Sequence, residues 1–140
     1  MRKNEPVSHL MTRDPITLHL GQKPSEMQAV FAANRFHHLP VVDGERLVGM
    51  LSTADAVRYF TDAWGSDGRQ LAAAIDRDFN LEEIMVRSPT TLGEGASIRE
   101  AVHLLSGGDF HAVPVTDEGG KLKGIVTSTD LIRYLGEQLA

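Results

Sequence analysis

A chain of 140 residues with 41% hydrophobic content can bury about 70% of the surface its unfolded form exposes, so one compact domain with a real core is expected. It contains no cysteine, which excludes disulfides, thiolate metal sites and a cysteine nucleophile. Its 19 acidic against 14 basic residues give a net charge of −5, which disfavours nucleic-acid binding and obliges any anionic ligand to find local positive charge. The opening residues 1–6 lead into no apolar signal region, and no stretch approaches the roughly 18 apolar residues of a membrane span. A cytoplasmic protein with neither a membrane nor a nucleic-acid partner is the expectation.

From the N-terminus, an arm places Leu10-Met11 ahead of Pro15 and Thr17-Leu18. Ser25 then opens Ser-x-x-Gln before Ala29 and Val30, a capping pattern whose following apolar spacing predicts a helix facing a core. Phe36-His37-His38-Leu39-Pro40-Val41-Val42-Asp43 predicts a short strand. Asp43-Gly44 tolerates positive φ and predicts a hairpin turn into Leu47 to Leu51. Ser52-x-x-Asp55 opens a second helix that carries Arg58 and Tyr59. Gly65, Ser66, Asp67 and Gly68 break the chain, and Leu71 to Ile75 predict a helical stretch beside Trp64.

From Leu81 the same order is written again. Ile84-Met85 precedes Pro89 and Thr91-Leu92, 74 positions on from Leu10-Met11, and Ser97 opens Ser-x-x-Glu before Ala101 and Val102, matching Ser25. Phe110-His111-Ala112-Val113-Pro114-Val115-Thr116-Asp117 repeats the strand, and Glu118-Gly119-Gly120 turns it toward Leu122 to Val126. The stretch from Gly49 to Tyr59 aligns without a gap to that from Gly124 to Tyr134. The organisation is thus a repeat at 7–60, a connector at 61–80 and a second repeat at 81–137. Each copy reads arm, helix, β-hairpin, helix, which predicts an α+β domain whose two copies pack with pseudo-twofold symmetry, neither half being stable alone.

Ser52-x-x-Asp55 and Thr127-x-x-Asp130 support two readings. As helix caps, each hydroxyl accepts a backbone N–H and each carboxylate complements the helix dipole, contributing about 1 kcal/mol. The same geometry holds a phosphate at a helix N-terminus and lets a carboxylate accept both ribose hydroxyls. Spacing alone leaves both open.

The Pro-x-Thr arm, the strand Leu39-Pro40-Val41-Val42-Asp43, and Gly-h-h-Ser/Thr-x-x-Asp (h apolar) at the second helix occur in both halves, and together resemble a tandem pair of CBS (cystathionine-β-synthase type) domains. The resemblance covers nearly the whole chain, excepting the first six residues, the connector and the last few. It implies a regulatory sensor of an adenine ligand such as AMP, ADP, ATP or S-adenosylmethionine, without catalysis and with no required cofactor; whether magnesium accompanies a nucleotide stays open. Two clefts are implied, adenine lying against the arm and first strand of one copy and ribose against the hydroxyl and Asp of the other. The first combines Thr17, His38, Leu39 and Pro40 with Ile125, Thr127 and Asp130, and resembles phosphate-binding members in its basic cluster Arg35, His37 and His38. The second combines Thr91, Ala112, Val113 and Pro114 with Met50, Ser52 and Asp55. There the sequence departs from the pattern, because Asp109 and Ala112 replace Arg35 and His38. A ligand without a phosphate tail, such as adenosine or S-adenosylmethionine, or an empty cleft, stays open for it. The resemblance further implies a homodimer that regulates a separate, unidentified protein.

These residues also have plainer readings. Adjacent His37 and His38 point to opposite faces of a regular strand, and Arg35 at a helix end is favoured by the dipole without a ligand. Arg58 and Arg133 suit solvated faces or a dimer contact, and His111 suits a packed or exposed histidine. For an enzyme, the chain lacks the local zinc-protease, nucleophile-elbow and P-loop motifs. A metal site from His37, His38 and Asp43 matches no local ligand spacing, so no metal is expected. The competing class is a ligand-free dimerisation or protein-interaction module.

Overall fold

Alternation along Leu39 and Val41, and again along Val113 and Val115, selects the side of each strand that meets a core. The computed structural model describes residues 4–60 and 68–140. In chain order its elements are a 3₁₀ turn at Val7–His9, β1 (Thr12–Arg13), β2 (Leu18–His19), α1 (Pro24–Ala33), β3 (His38–Asp43), β4 (Arg46–Ser52), α2 (Thr53–Phe60), α3 (Gly68–Asp78), α4 (Leu81–Ile84), β5 (Val86–Arg87), β6 (Leu92–Gly93), α5 (Ile98–Ser106), β7 (Ala112–Thr116), β8 (Leu122–Thr127) and α6 (Ser128–Leu139). Among the described residues the architecture is α+β, with two four-stranded sheets, and no helix is long and apolar enough to cross a membrane. Trp64 and the breaker residues 65–67 lie outside the described residues, while the helix expected at Leu71 to Ile75 is the middle of α3.

The chain forms two compact units. The first-repeat unit comprises Ile16–Gly44 and Val48–Ser88; the second-repeat unit comprises Met1–Pro15, Glu45–Leu47 and Pro89–Ala140. In the former, the sheet runs β2-β3-β4-β5, with β2 parallel to β3 (Leu18 opposite Val41) and β5 antiparallel to β4 (Val86 opposite Met50). Gly44, at φ +65°, makes the hairpin turn the sequence predicts. Leu18, Met27, Phe31, Leu39, Val41 and Leu51 lie in its core, each contributing roughly 1.5–3 kcal/mol by burial. The second sheet runs β1-β8-β7-β6, with Val113 opposite Val126 and Leu92 opposite Val115, over a core of Val7, Met11, Ala101, Leu105, Val113, Val115 and Val126.

Each repeat's arm belongs to the unit built on the other repeat. Val7 N–H bonds the Ala96 carbonyl at 2.8 Å, Ile98 N–H bonds the Glu5 carbonyl at 2.7 Å, and β1 pairs with β8. Leu81, Ile84 and Met85 complete the core of the first-repeat unit in the same way. The repeated Gly49 and Gly124 make room for this exchange. A Cβ on Gly49 would fall 2.3 Å from Met85 Sδ, and one on Gly124 would fall 2.7 Å from the Thr12 carbonyl and 2.6 Å from Met11 Sδ. Asp14 and Ser88, both at φ 46°, then turn each arm out of its strand ahead of a proline.

The first helix departs from expectation. Ser25 is not its cap: Lys23 occupies the N-cap, Pro24 the first helical position, and Glu26 Oε2 accepts Lys23 N–H at 2.7 Å. Ser25 instead donates its N–H, at 2.9 Å, and its hydroxyl to the Asp76 carboxylate of α3. Ser97 is the N-cap of α5 as expected, accepting Glu100 N–H at 3.1 Å. Lys23, Pro24 and Glu26 therefore correspond to Ser97, Ile98 and Glu100, 74 positions on, and the repeat runs ungapped from Leu10 to Asp43.

Candidate functional site

Both Ser/Thr-x-x-Asp motifs sit where an apolar strand hands over to a helix. In the first-repeat unit, Asp55 Oδ2 accepts Ser52 N–H at 2.8 Å and the Ser52 hydroxyl at 3.1 Å. In the second-repeat unit, Asp130 Oδ2 accepts Thr127 N–H at 2.8 Å while Thr127 Oγ1 accepts Asp130 N–H at 3.1 Å. The two carboxylates are the buried charged groups of the described residues, 8% and 9% exposed. Capping and the helix dipole make that burial tolerable. Their second oxygens face Arg58 (3.8 Å) and Arg133 (3.4 Å), side chains that are 69% and 65% exposed. Such exposed pairs are weak, and a carboxylate has about four lone-pair sites, so each Asp Oδ1 keeps acceptor capacity for vicinal hydroxyls.

One residue of the basic cluster, His37, is tied through its backbone to one of these helix starts. The His37 carbonyl accepts the Thr53 N–H at 2.9 Å, which ties the lead-in to β3 to the first residue of α2. His37 precedes β3 and is exposed, His38 opens the strand half-buried, and Arg35 is exposed beyond the end of α1. Since the strand begins only at His38, the alternation that would oppose the two histidines does not extend to His37. The second-repeat unit repeats the tie, Ser128 N–H bonding the His111 carbonyl at 2.9 Å, with Asp109 and Ala112 in the places of Arg35 and His38.

The structure groups the expected ligand residues by unit. Thr17, half-buried ahead of β2, belongs with Arg35, His37, His38, Leu39, Pro40, Met50, Ser52 and Asp55 in the first-repeat unit. Thr91, exposed ahead of β6, belongs with Ala112, Val113, Pro114, Ile125, Thr127 and Asp130 in the second-repeat unit, where Ala112 lies directly opposite Thr127 and Pro114 opposite Ile125. Leu39 and Val113 are fully buried core residues, so their side chains are committed to packing. Pro40, Met50, Ala112, Pro114 and Ile125 are buried yet belong to neither core cluster. The tie between the His37 backbone and the start of α2 escaped sequence reasoning; the bond from Thr53 to His37 spans a hairpin, and only its return geometry reveals it.

Among the described residues, no cluster of three or more histidines and carboxylates is arranged to hold a metal ion. His38 and Asp43 are the two ends of a six-residue strand, about 16 Å apart at 3.3 Å per residue, which breaks up the metal set considered from sequence.

The sequence model of the CBS domain matches residues 7–62 and 81–137. The chain belongs to the CBS domain family. This CBS pair is 30% identical to protein MJ1225 of Methanocaldococcus jannaschii over 133 residues, 94% of this chain and 48% of that protein. The solved structure of MJ1225 matches with a TM-score of 0.79 at 28% identity, over 96% of this chain and 49% of that one. The CBS domain pair of protein MJ0100, solved in complex with 5′-methylthioadenosine and S-adenosylmethionine, matches with a TM-score of 0.77 at 26% identity, over 95% and 97% of the two chains. A CBS domain-containing protein of Dictyostelium discoideum is 29% identical over 131 residues, 92% of this chain and 90% of that one. This chain spans less than half of MJ1225 and 23% and 24% of two further curated relatives.

Proposed function

We propose that this CBS pair is a regulatory module that binds an adenosine-containing ligand and acts, without catalysis, on a separate protein in the cytoplasm. The observation that carries the reading is the pair of buried, capped carboxylates at the α2 and α6 N-termini, each with a strand-end backbone tied to its helix start. Asp55 and Asp130 are the ribose acceptors, Ser52 and Thr127 the hydroxyls beside them, and Thr17 and Thr91 the polar groups ahead of β2 and β6. Arg35, His37 and His38 meet the anionic tail of AMP, ADP or ATP, because the Arg35 guanidinium, imidazole N–H donors and a helix N-terminus all favour an anion. Their counterparts Asp109 and Ala112 favour an uncharged or cationic tail, as in adenosine or S-adenosylmethionine. The complex of the MJ0100 pair with 5′-methylthioadenosine and S-adenosylmethionine supports the ligand class.

The test is thermal unfolding against AMP, ADP, ATP, adenosine, 5′-methylthioadenosine and S-adenosylmethionine, each with and without magnesium. A ligand at about 100 times its Kd adds ~2.7 kcal/mol, which raises Tm by several degrees in a domain of this size. No shift with any member at millimolar concentration would overturn the sensor reading in favour of a ligand-free dimerisation or interaction module. The exposed apolar residues of α6, Ile132, Leu135 and Leu139, favour that second reading and the expected homodimer.

A further inference from the structure

The two repeats differ where each arm meets the turn ahead of the first helix. In the second-repeat unit backbone closes that junction: Val7 N–H bonds the Ala96 carbonyl at 2.8 Å, Ile98 N–H bonds the Glu5 carbonyl at 2.7 Å, and Pro6 bridges to Ser97. At the same spacing of 74 positions, Ile98 and Glu5 correspond to Pro24 and Phe79, and Ser97 and Pro6 to Lys23 and Asn80. Pro24 has no N–H, so the counterpart of the bond from Ile98 cannot form. At this junction the first-repeat unit has a cavity of about 290 Å³, walled by the β2–α1 turn from Leu20 to Pro24, by Phe79 and Asn80, and by two carboxylates, Asp76 of α3 and Glu82 of α4.

Its lining carries both signs of charge with bonding capacity to spare. Lys23 is exposed and makes no ion pair among the described residues. Asn80 commits its Oδ1 to the Glu83 N–H at 3.0 Å, which leaves its side-chain NH₂ to donate. Asp76 is held in place by the Ser25 N–H on one oxygen and the Ser25 hydroxyl on the other. A carboxylate has about four lone-pair sites, so Asp76 can accept a further donor. Glu82 Oε2 meets Arg87 at 3.5 Å in an exposed and therefore weak pair. Leu20, Pro24 and Phe79 add an apolar wall.

We infer that this cavity is a site for a free α-amino acid with an aliphatic side chain. Lys23 and Asn80 hold its carboxylate, Asp76 and Glu82 its ammonium group, and the apolar wall its side chain. Two acids to one base select against a simple anion, and the volume lies at the lower edge of the roughly 300–1,000 Å³ of ligand pockets, which suits a small metabolite better than a nucleotide. The site is separate from the one proposed for the adenosine ligand. Leu20 N–H bonds the Val42 carbonyl at 2.9 Å, so the turn after β2 lies beside the Asp43 end of β3. His38 is at the other end of that strand, about 16 Å away at 3.3 Å per residue. An amino acid here joins the β2–α1 turn to the α3–α4 junction, and so fastens the arm whose Leu81, Ile84 and Met85 complete the core.

The probe is L-leucine, titrated into the isotope-labelled full chain and followed by amide chemical shifts, beside isocaproate, which lacks the ammonium group, and isoamylamine, which lacks the carboxylate. Saturable shifts at Gly21, Lys23 and Asn80 are expected with leucine at millimolar concentration, with roughly 10-fold weaker binding of each analogue, the worth of one charge-assisted interaction. Lys23→Ala is expected to weaken leucine by roughly the same factor and leave isoamylamine unchanged, while Glu82→Gln weakens leucine and leaves isocaproate unchanged. Both side chains are exposed, and the amide spectrum of each variant verifies its fold. No saturable shift at these residues, equal binding of leucine and either analogue, or unchanged leucine affinity in either variant would each overturn the proposal. Shifts at His38 and Ser52 in place of Gly21 and Asn80 would put leucine at the nucleotide site and refute a separate one.

Discussion

Tyr134 of α6 donates its hydroxyl hydrogen to the carboxylate of Glu5, 129 residues earlier in the chain. The repeat partners of these two residues, Tyr59 and Phe79, meet as an edge-to-face aromatic pair at 5.2 Å. The same tyrosine thus secures the residue ahead of the exchanged arm in both units, once by a charge-assisted hydrogen bond and once by ring packing. The Glu5 carboxylate also lies 3.3 Å from His9 Nδ1, so the arm of the second-repeat unit is held at its base by a small polar cluster.

Tyr134→Phe keeps the ring and removes the donor. The expected loss is about 1–2 kcal/mol, because a hydrogen bond to a charged, partly buried acceptor disappears. Urea unfolding measures it, and amide exchange should report faster opening at Val7 and Met11 than at Val113 or Val126. Equal acceleration at all four sites would show that the bond supports the unit as a whole and not the arm in particular.

The glycines under the arms separate in cost. At Gly124 an added Cβ meets the Thr12 carbonyl, a backbone atom in a paired strand, at 2.7 Å. At Gly49 the nearest atoms all belong to the Met85 side chain, which can change rotamer. Gly124→Ala is therefore expected to destabilise by roughly 1–3 kcal/mol and Gly49→Ala by less, as read from denaturant midpoints. The reverse order would show that Met85 is more tightly held than Thr12.

Repeat order, hairpins and the second-helix caps are legible in the sequence because each is a local pattern: Asp43-Gly44 makes a turn whatever surrounds it, and Thr127-x-x-Asp130 caps its own helix. The exchange of arms is not. Leu10-Met11 announces apolar residues but nothing about which core receives them, since the partners Ala96 and Val126 lie far along the chain. Ser25 misled for a related reason. Hydroxyl spacing resembles a cap, yet its partner Asp76 sits 51 residues away on α3. The bond that ties the His37 backbone to the α2 N-terminus likewise depends on a hairpin closing, and residue types alone leave it open.

Acid sensitivity should arise in part from Asp117, whose carboxyl is held below its ordinary value of 3.8 by the Lys121 N–H and, after the opposing effect of desolvation, by the Gly119 N–H. Its Oδ1 accepts both at 2.9 Å and so shapes the β7–β8 turn. A depressed folded pKa contributes stability that is fully present above the unfolded value and is lost as pH falls through the lowered one. Asp117→Asn keeps an acceptor without a titrating group, so it should flatten the fall in unfolding midpoint between about pH 5 and about pH 3. An unchanged acid limb in this variant would place the titration elsewhere, with Glu26, lowered chiefly by the Lys23 N–H, the next group to replace.

Ligand binding gives the most discriminating comparison, because the two carboxylates have the same local geometry and different neighbours. Asp55→Ala and Asp130→Ala should each lower stability by about 1 kcal/mol, the worth of one cap. If Asp55 works with the basic cluster of its own unit, Asp55→Ala should weaken AMP or ATP at least 10-fold. Arg35→Ala should weaken the same nucleotides in proportion to their phosphate charge while leaving adenosine within about 2-fold, since a phosphate contact acts on the tail alone. Asp130→Ala should then act chiefly on adenosine or S-adenosylmethionine. Calorimetric titration of the three variants decides the assignment. Loss of nucleotide binding in Asp130→Ala with retention in Asp55→Ala would move the ribose contact of the phosphate-bearing ligand to the second-repeat unit, and an Arg35→Ala variant that binds ATP as the parent does would remove the cluster from the site altogether.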